Sequence, residues 1–185
     1  MRRVLLVVFL CLLCVGCADE KRALSSAIAF RTELINAKGC SFNARITADF
    51  EDRVELFVLQ CTADSEGKFS FCVLEPETLK DICATVSEDG GTLTYDGMAM
   101  DFGLLADGNV IPAAAPALVF AAWRSDYISS GGTEENYYRA TYERDFDSKK
   151  LIVDTWFEKR LPISAQICYN DQCIIQMEIT DFSFH

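Results

Sequence analysis

Phe42-Asn43-Ala44-Arg45-Ile46-Thr47-Ala48-Asp49 alternates apolar and polar residues without a break. A period of two belongs to a strand with one buried and one wet face. Just upstream, between Asp19 and Ala37, the residues Leu24, Ala27, Ile28, Leu34 and Ile35 recur at spacings of three, four and seven. That spacing predicts a helix with one buried stripe. Lys38-Gly39 separates the two regimes, and Gly39 reads as the helix stop. A sheet therefore begins at this change of period.

Downstream, the strand pattern persists. Arg53 to Cys61, Lys68 to Leu74, Ile82 to Val86, Thr92 to Tyr95 and Met98 to Phe102 read as five more strands. Thr62 to Gly67 has turn composition, Pro76 to Lys80 forms a short insert, and Asp89-Gly90-Gly91 and Asp96-Gly97 are hairpin signals. Pro112-Ala113-Ala114-Ala115-Pro116 then introduces Ala117 to Ser129, where Leu118, Val119, Ala122, Trp123, Tyr127 and Ile128 recur near helical spacing. Ser129-Ser130-Gly131-Gly132 reads as the end of that second helix. Asn136 to Arg144, Leu151 to Glu158, Ile163 to Tyr169 and Cys173 to Phe184 complete the strands, with turns at Asp147-Ser148-Lys149 and Asn170-Asp171-Gln172. The expected fold is α+β: one curved antiparallel sheet of about ten strands, a half-barrel whose concave face is covered by the N-terminal helix and the second amphipathic helix.

Composition limits the chemistry. With 17 basic residues against 28 acidic ones, the net charge of −11 has the wrong sign for a protein that neutralises phosphates, so nucleic acid is not an expected partner. The single histidine, His185, is the last residue of the sequence, which removes an internal imidazole as base or metal ligand. No G-x-S-x-G, H-E-x-x-H, post-strand G-x-G-x-x-G or phosphate-loop lysine occurs. The acidic groups Asp49/Glu51/Asp52 and Glu88/Asp89 fall in expected turns, where carboxylates are ordinarily solvated. Asp126-Tyr127 and Glu134-Glu135 carry no more. The reading is of a non-enzyme, with no cofactor and no metal.

The N-terminus has export grammar: positive Met1-Arg2-Arg3, an apolar run from Val4 to Val15, then Gly16-Cys17 before Ala18-Asp19-Glu20-Lys21-Arg22 turns polar. The run is shorter than the roughly 20 apolar residues of a spanning helix. Cys14-Val15-Gly16-Cys17 resembles the lipobox of bacterial lipoproteins, with Cys14 where Leu is usual. The resemblance implies cleavage after residue 16, a diacylglyceryl anchor on Cys17, and an extracytoplasmic domain from 17 to 185. Cys11, Cys14 and Cys17 also spell C-x-x-C-x-x-C, but an apolar helix offers no cage for a metal. Loss of Arg2 and Arg3 leaves 15 basic residues against 28 acidic ones, a net of −13. Such a domain is held near anionic headgroups by acyl chains rather than by charge.

Element order, the P-x-x-L insert at Pro76 to Leu79 and the P-x-x-x-P start of the second helix at Pro112 to Pro116 together resemble the LolA/LolB-like lipoprotein carriers over nearly all of the mature chain. The resemblance is strongest to small lipid-anchored members. It implies a half-barrel with helices as a lid over an apolar cavity and an apolar ligand such as a lipid or a lipoprotein acyl chain.

Six cysteines lie outside the signal segment: Cys40, Cys61, Cys72, Cys83, Cys168 and Cys173. A first hairpin turning at Phe50-Glu51 sets Cys40 opposite Cys61, which makes them the leading disulfide candidates. For Cys168 and Cys173 the hydrophobic pattern favours a three-residue turn that matches Ala165 with Met177 and Ile167 with Ile175 and sends the two sulfurs to opposite faces. Cys72 and Cys83 are readable as buried free thiols. Candidate cavity residues are Phe42, Leu56, Val58, Phe71, Trp123, Tyr138 and Trp156; the run Val54 to Leu59 is apolar on both faces. Two functions follow: a binding module for an apolar ligand, and an envelope scaffold that docks partner proteins without a small-molecule ligand.

Overall fold

The computed structural model describes the chain except residues 1, 50–52, 88–89, 96–97, 103–104, 107–108, 147–148 and 170–171. The side chains of 2–18, 87, 90, 102, 105–106, 109 and 146 also lie outside the description. The expected turns at Phe50-Glu51, Asp96-Gly97, Asp147-Ser148 and Asn170-Asp171, the acidic residues Glu88 and Asp89, and the Cys17 side chain fall outside the described residues.

In chain order the elements are α1 (Arg2–Asn36), β1 (Gly39–Asp49), β2 (Val54–Asp64), β3 (Phe69–Glu75), β4 (Cys83–Ser87), β5 (Gly90–Tyr95), β6 (Met98–Phe102), β7 (Leu105–Ala106), β8 (Asn109–Val110), α2 (Ala115–Ser125), β9 (Tyr127–Glu134), β10 (Tyr137–Phe146), β11 (Lys149–Glu158), β12 (Leu161–Tyr169) and β13 (Gln172–Phe184). Single 3-10 turns occupy Glu77–Leu79 and Pro112–Ala114. Eleven strands form one antiparallel sheet in the order β6-β5-β4-β3-β2-β1-β13-β12-β11-β10-β9, and β7 pairs with β8 alone. Two meanders therefore meet where β1 pairs with β13. The expected α+β class, one large antiparallel sheet with two helices on a face, is the fold.

Alternation divides every long strand between an inner and an outer face. Phe42, Ala44, Ile46 and Ala48 of β1, Leu59, Cys61 and Ala63 of β2, Phe69, Phe71 and Val73 of β3, and Ile175, Met177 and Ile179 of β13 are buried on the inner face. Both helices lie there: α1 over β9 and β10, and α2 over β3, β10 and β12. Their junction is fixed by Arg31 of α1. Its Nε donates to the Trp123 carbonyl at 2.7 Å, and its Nη2 donates to the Ala122 and Asp126 carbonyls at 3.0 and 2.6 Å. The Ala122 carbonyl also accepts the Asp126 backbone N–H at 3.2 Å, so the guanidinium adds a second donor at the end of α2.

Three expectations change. The buried stripe of α1 is Ala23, Ala27, Phe30 and Leu34, whereas Ile28 and Ile35 are exposed. Small residues win because α1 runs close to β9: a Cβ on Gly131 would meet Ala23 Cβ at 3.0 Å and Leu24 N at 3.1 Å. Ser129-Ser130-Gly131-Gly132 is accordingly part of strand β9, and α2 stops at Ser125. The glycine marks close approach of a neighbouring element, not a turn. Gly39, read as a helix stop, is the first residue of β1, where an added Cβ would run into the Ala63 carbonyl oxygen.

The cysteine pairing also changes. The β1–β2 register places Cys40 opposite Ala63 and Phe42 opposite Cys61, because residues 50–53 all lie between the paired Asp49 and Val54. Cys40 and Cys61 are buried free thiols rather than a bridge. The disulfides are Cys72–Cys83 and Cys168–Cys173, each across directly paired strands. In the second pair, Ala165 does match Met177 and Ile167 matches Ile175, as the apolar pattern requires. A bulge beyond Ile167 then brings Cys168 opposite Cys173. One inserted residue on β13 reconciles two registers that exclude each other on a regular ladder.

Candidate functional site

The inner face is filled unevenly. At its centre Phe30 of α1 meets Trp123 edge-on at 5.4 Å between ring centroids, Phe157 at 5.2 Å and Phe182 at 5.6 Å. Phe42 lies 5.8 Å from both Trp123 and Phe182, and Phe69 lies 5.4 Å from Phe120 of α2. Offset and edge contacts of this kind add to plain burial. The fully buried Trp123 donates its indole N–H to Thr155 Oγ1 at 3.0 Å. The space under α2 is thus occupied by the protein's own rings.

Burial also sets the titration of this region. The Cys40 thiol is pushed up to about 12 by burial, with Arg124 pulling weakly the other way. Cys61 is raised well above its ordinary value, first by burial and then by Cys40. Burial raises the Tyr142 hydroxyl as well, against Arg31, whose guanidinium lies 5.5 Å from the ring centre. The neutral thiols are poor nucleophiles and poor metal ligands. Among the described residues, no group of three His, Cys, Asp or Glu side chains could hold a metal ion.

At the β4–β6 end the same face is open. Ala84 of β4 is buried opposite Leu93 of β5, Leu93 is opposite Met100 of β6, and Tyr95 is opposite Met98. Leu93 packs against the core, but Tyr95, Met98 and Met100 are 50, 69 and 66 % exposed. A strip of apolar side chains therefore continues from the core into solvent.

Of the seven candidate cavity residues, Phe42, Phe71, Trp123 and Tyr138 are on the inner face, and all but the half-buried Tyr138 are fully packed. Leu56, Val58 and Trp156 are on the outer face, and Leu56 is 61 % exposed. The seven do not converge. Tyr95, Met98 and Met100 are absent from the sequence reading, although Thr92 to Tyr95 and Met98 to Phe102 are read as strands. Period alone does not say how far a helix reaches over a sheet.

Trp156 belongs to a different feature. A depression of about 420 Å³ lies on the outer face over β1, β10, β11, β12 and β13. Its floor is a cross-strand row, Arg45 (β1), Glu178 (β13), Ser164 (β12) and Trp156 (β11), beside a second row of Thr47, Gln176 and Gln166. The Trp156 indole N–H donates to Glu134 Oε2 at 2.7 Å, and Glu134 Oε1 accepts from Arg139 at 3.0 Å, which fixes the plane of the ring.

No protein-family model matches the sequence, and no curated protein matches it. Among solved structures the chain is similar to a LolA superfamily protein from Nitrosomonas europaea, at 8 % identity and a TM-score of 0.48 over 90 % of this chain and 94 % of that one. It is also similar to a putative outer membrane lipoprotein-sorting protein domain from Vibrio parahaemolyticus, at 8 % identity and 0.44 over 89 % and 93 %. A third is the lipoprotein LppX of Mycobacterium tuberculosis, at 8 % identity and 0.46 over 88 % and 95 %.

Proposed function

We propose that the protein is an exported lipoprotein, anchored through a diacylglyceryl group on Cys17, that binds an apolar ligand such as a lipid or lipoprotein acyl chain without catalysis. The carrying observation is the open strip of Tyr95, Met98 and Met100, on the core face and continuous with Leu93. An unbranched thioether adapts to ligands of varied shape, and the strip joins a dry interior. Export is supported by the signal-like N-terminus and by the two cross-strand disulfides, which suit an oxidising compartment.

The test uses residues 18–185. Among the described side chains of α1 the first buried one is Ala23, so this fragment keeps every described core contact. It should take up a fluorescent fatty acid saturably, and Met98→Glu with Met100→Glu should abolish uptake while the circular dichroism stays unchanged. Bare protein in native mass spectrometry together with no uptake would overturn the ligand. Metabolic labelling with an alkyne fatty acid should mark the full chain and spare Cys17→Ser.

The second reading is a partner-docking scaffold with no small-molecule ligand, favoured by the ring-filled space under α2. Retained pull-down of an envelope protein by a fragment that binds no fatty acid would select it.

A further inference from the structure

The outer-face depression is chemically unlike the apolar strip. Its lining offers two aromatic rings, Trp156 and Tyr137, and a dense set of mixed hydrogen-bonding groups. Ser164, Gln166 and Gln176 have no side-chain hydrogen-bond partner among the described residues. Each of these groups both donates and accepts. Arg45 adds donors and Glu178 acceptors, 3.9 Å from one another, so the floor carries nearly balanced charge. Strands spaced about 4.7–4.9 Å apart give the row from Arg45 to Trp156 a length of roughly 14 Å.

These features select a ligand. An acyl chain would leave the amides and hydroxyls desolvated and unpaired, which is costly. A polyanion meets a protein of net charge −11. A neutral polyhydroxylated ring compound satisfies both halves of the floor, since its hydroxyls pair with the amides while a C–H face lies on the indole. The Glu134 bridge matters here, because it holds Trp156 in place before any ligand arrives and lowers the ordering cost of binding. The geometry points to a neutral oligosaccharide site on the outer face, with Trp156 as stacking platform and Gln166, Gln176, Ser164 and Arg45 as hydroxyl readers. It is independent of the apolar strip, which lies on the opposite face of the sheet.

Trp123 and Trp156 are the two tryptophans of the chain, and Trp123 is fully buried. Acrylamide quenching of residues 18–185 therefore reports on Trp156. Cellotetraose, chitotetraose and maltotetraose are titrated separately to millimolar concentration. Saturable protection from quenching is expected with at least one of them. Weakening of at least tenfold is expected in Gln166→Ala with Gln176→Ala or in Arg45→Ala. All three side chains are on the outer face, so the fold, checked by circular dichroism, should persist. No saturable protection with any of the three sugars would overturn the proposal, as would protection undiminished in both variants. Loss of sugar binding with fatty-acid uptake intact would leave the apolar-ligand reading standing, and the reverse result would leave the sugar site standing.

Discussion

On the C-terminal arm, Ala140, Tyr142, Leu151, Val153 and Phe157 lie inward beneath the helices and are all buried, whereas on the N-terminal arm Tyr95, Met98 and Met100 occupy the same face of the same sheet and are at least half exposed. Both arms are antiparallel meanders, and each carries a disulfide between adjacent strands. What differs is cover: α1 lies over β9 and β10, and α2 meets the N-terminal arm at β3. An identical strand period therefore yields a packed core at one end and an available apolar surface at the other. Helix placement, not strand composition, decides which.

The contrast can be broken at its packed end. Phe30→Ala removes the ring shared by Trp123, Phe157 and Phe182 and should cost about 3–5 kcal/mol by urea unfolding. A loss below about 1 kcal/mol would mean that this end is not tightly packed.

Adjacent glycines sharpen the comparison. Gly131→Ala places a methyl against Ala23 and Leu24 and should cost about 1–3 kcal/mol, while a Cβ at Gly132 meets nothing within 4 Å. Gly132→Ala should leave the denaturation midpoint unchanged or slightly raised. Equal effects at the two positions would contradict the close docking of α1.

A pH effect tests the packed end through its buried thiol. The folded state holds the Cys40 proton up to about 12, whereas the unfolded chain releases it near 9.0. The unfolded state thus binds fewer protons across that window, so stability falls as pH rises from about 9 to about 12 and is fully present below it. Cys40→Ala should show a shallower decline in melting temperature over that range, and iodoacetamide at pH 8 should leave Cys40 unlabelled in the folded protein.

The smallest effect belongs to the open end. Met98→Ser with Met100→Ser should change stability by no more than about 0.5 kcal/mol per site, the ordinary range for surface positions. A larger loss would show that something covers the strip in solution.

The strands were legible because Phe42 to Asp49 and Leu151 to Glu158 alternate cleanly, and their inward residues are those the pattern predicts. Strand β9 was not, since Ser-Ser-Gly-Gly looks like punctuation until a helix is seen lying against it. The stripe of α1 is hard to read because bulky Ile28 and Ile35 outweigh Ala23 and Ala27 in any count of apolar size, whereas close docking selects for smallness. Cys40 and Cys61 stay free because the connection between Asp49 and Val54 is two residues longer than a two-residue turn. The outer-face row joins Arg45 to Trp156, whose adjacency depends on β1 meeting β13, and no local pattern announces a pairing of that range.

That same pairing has a temporal consequence. Ser41 and Ser183 face each other across 142 positions of sequence, at the seam where two separately windable ribbons become one. A chain made from its N-terminus holds the edge of β1 unsatisfied until β13 has been synthesised. Each ribbon can zip through neighbouring hairpins at small loop-closure cost, but their union waits on the slowest and most distant contact. Joining the ribbons is therefore the step most open to helper factors and most exposed to competing edge-to-edge association.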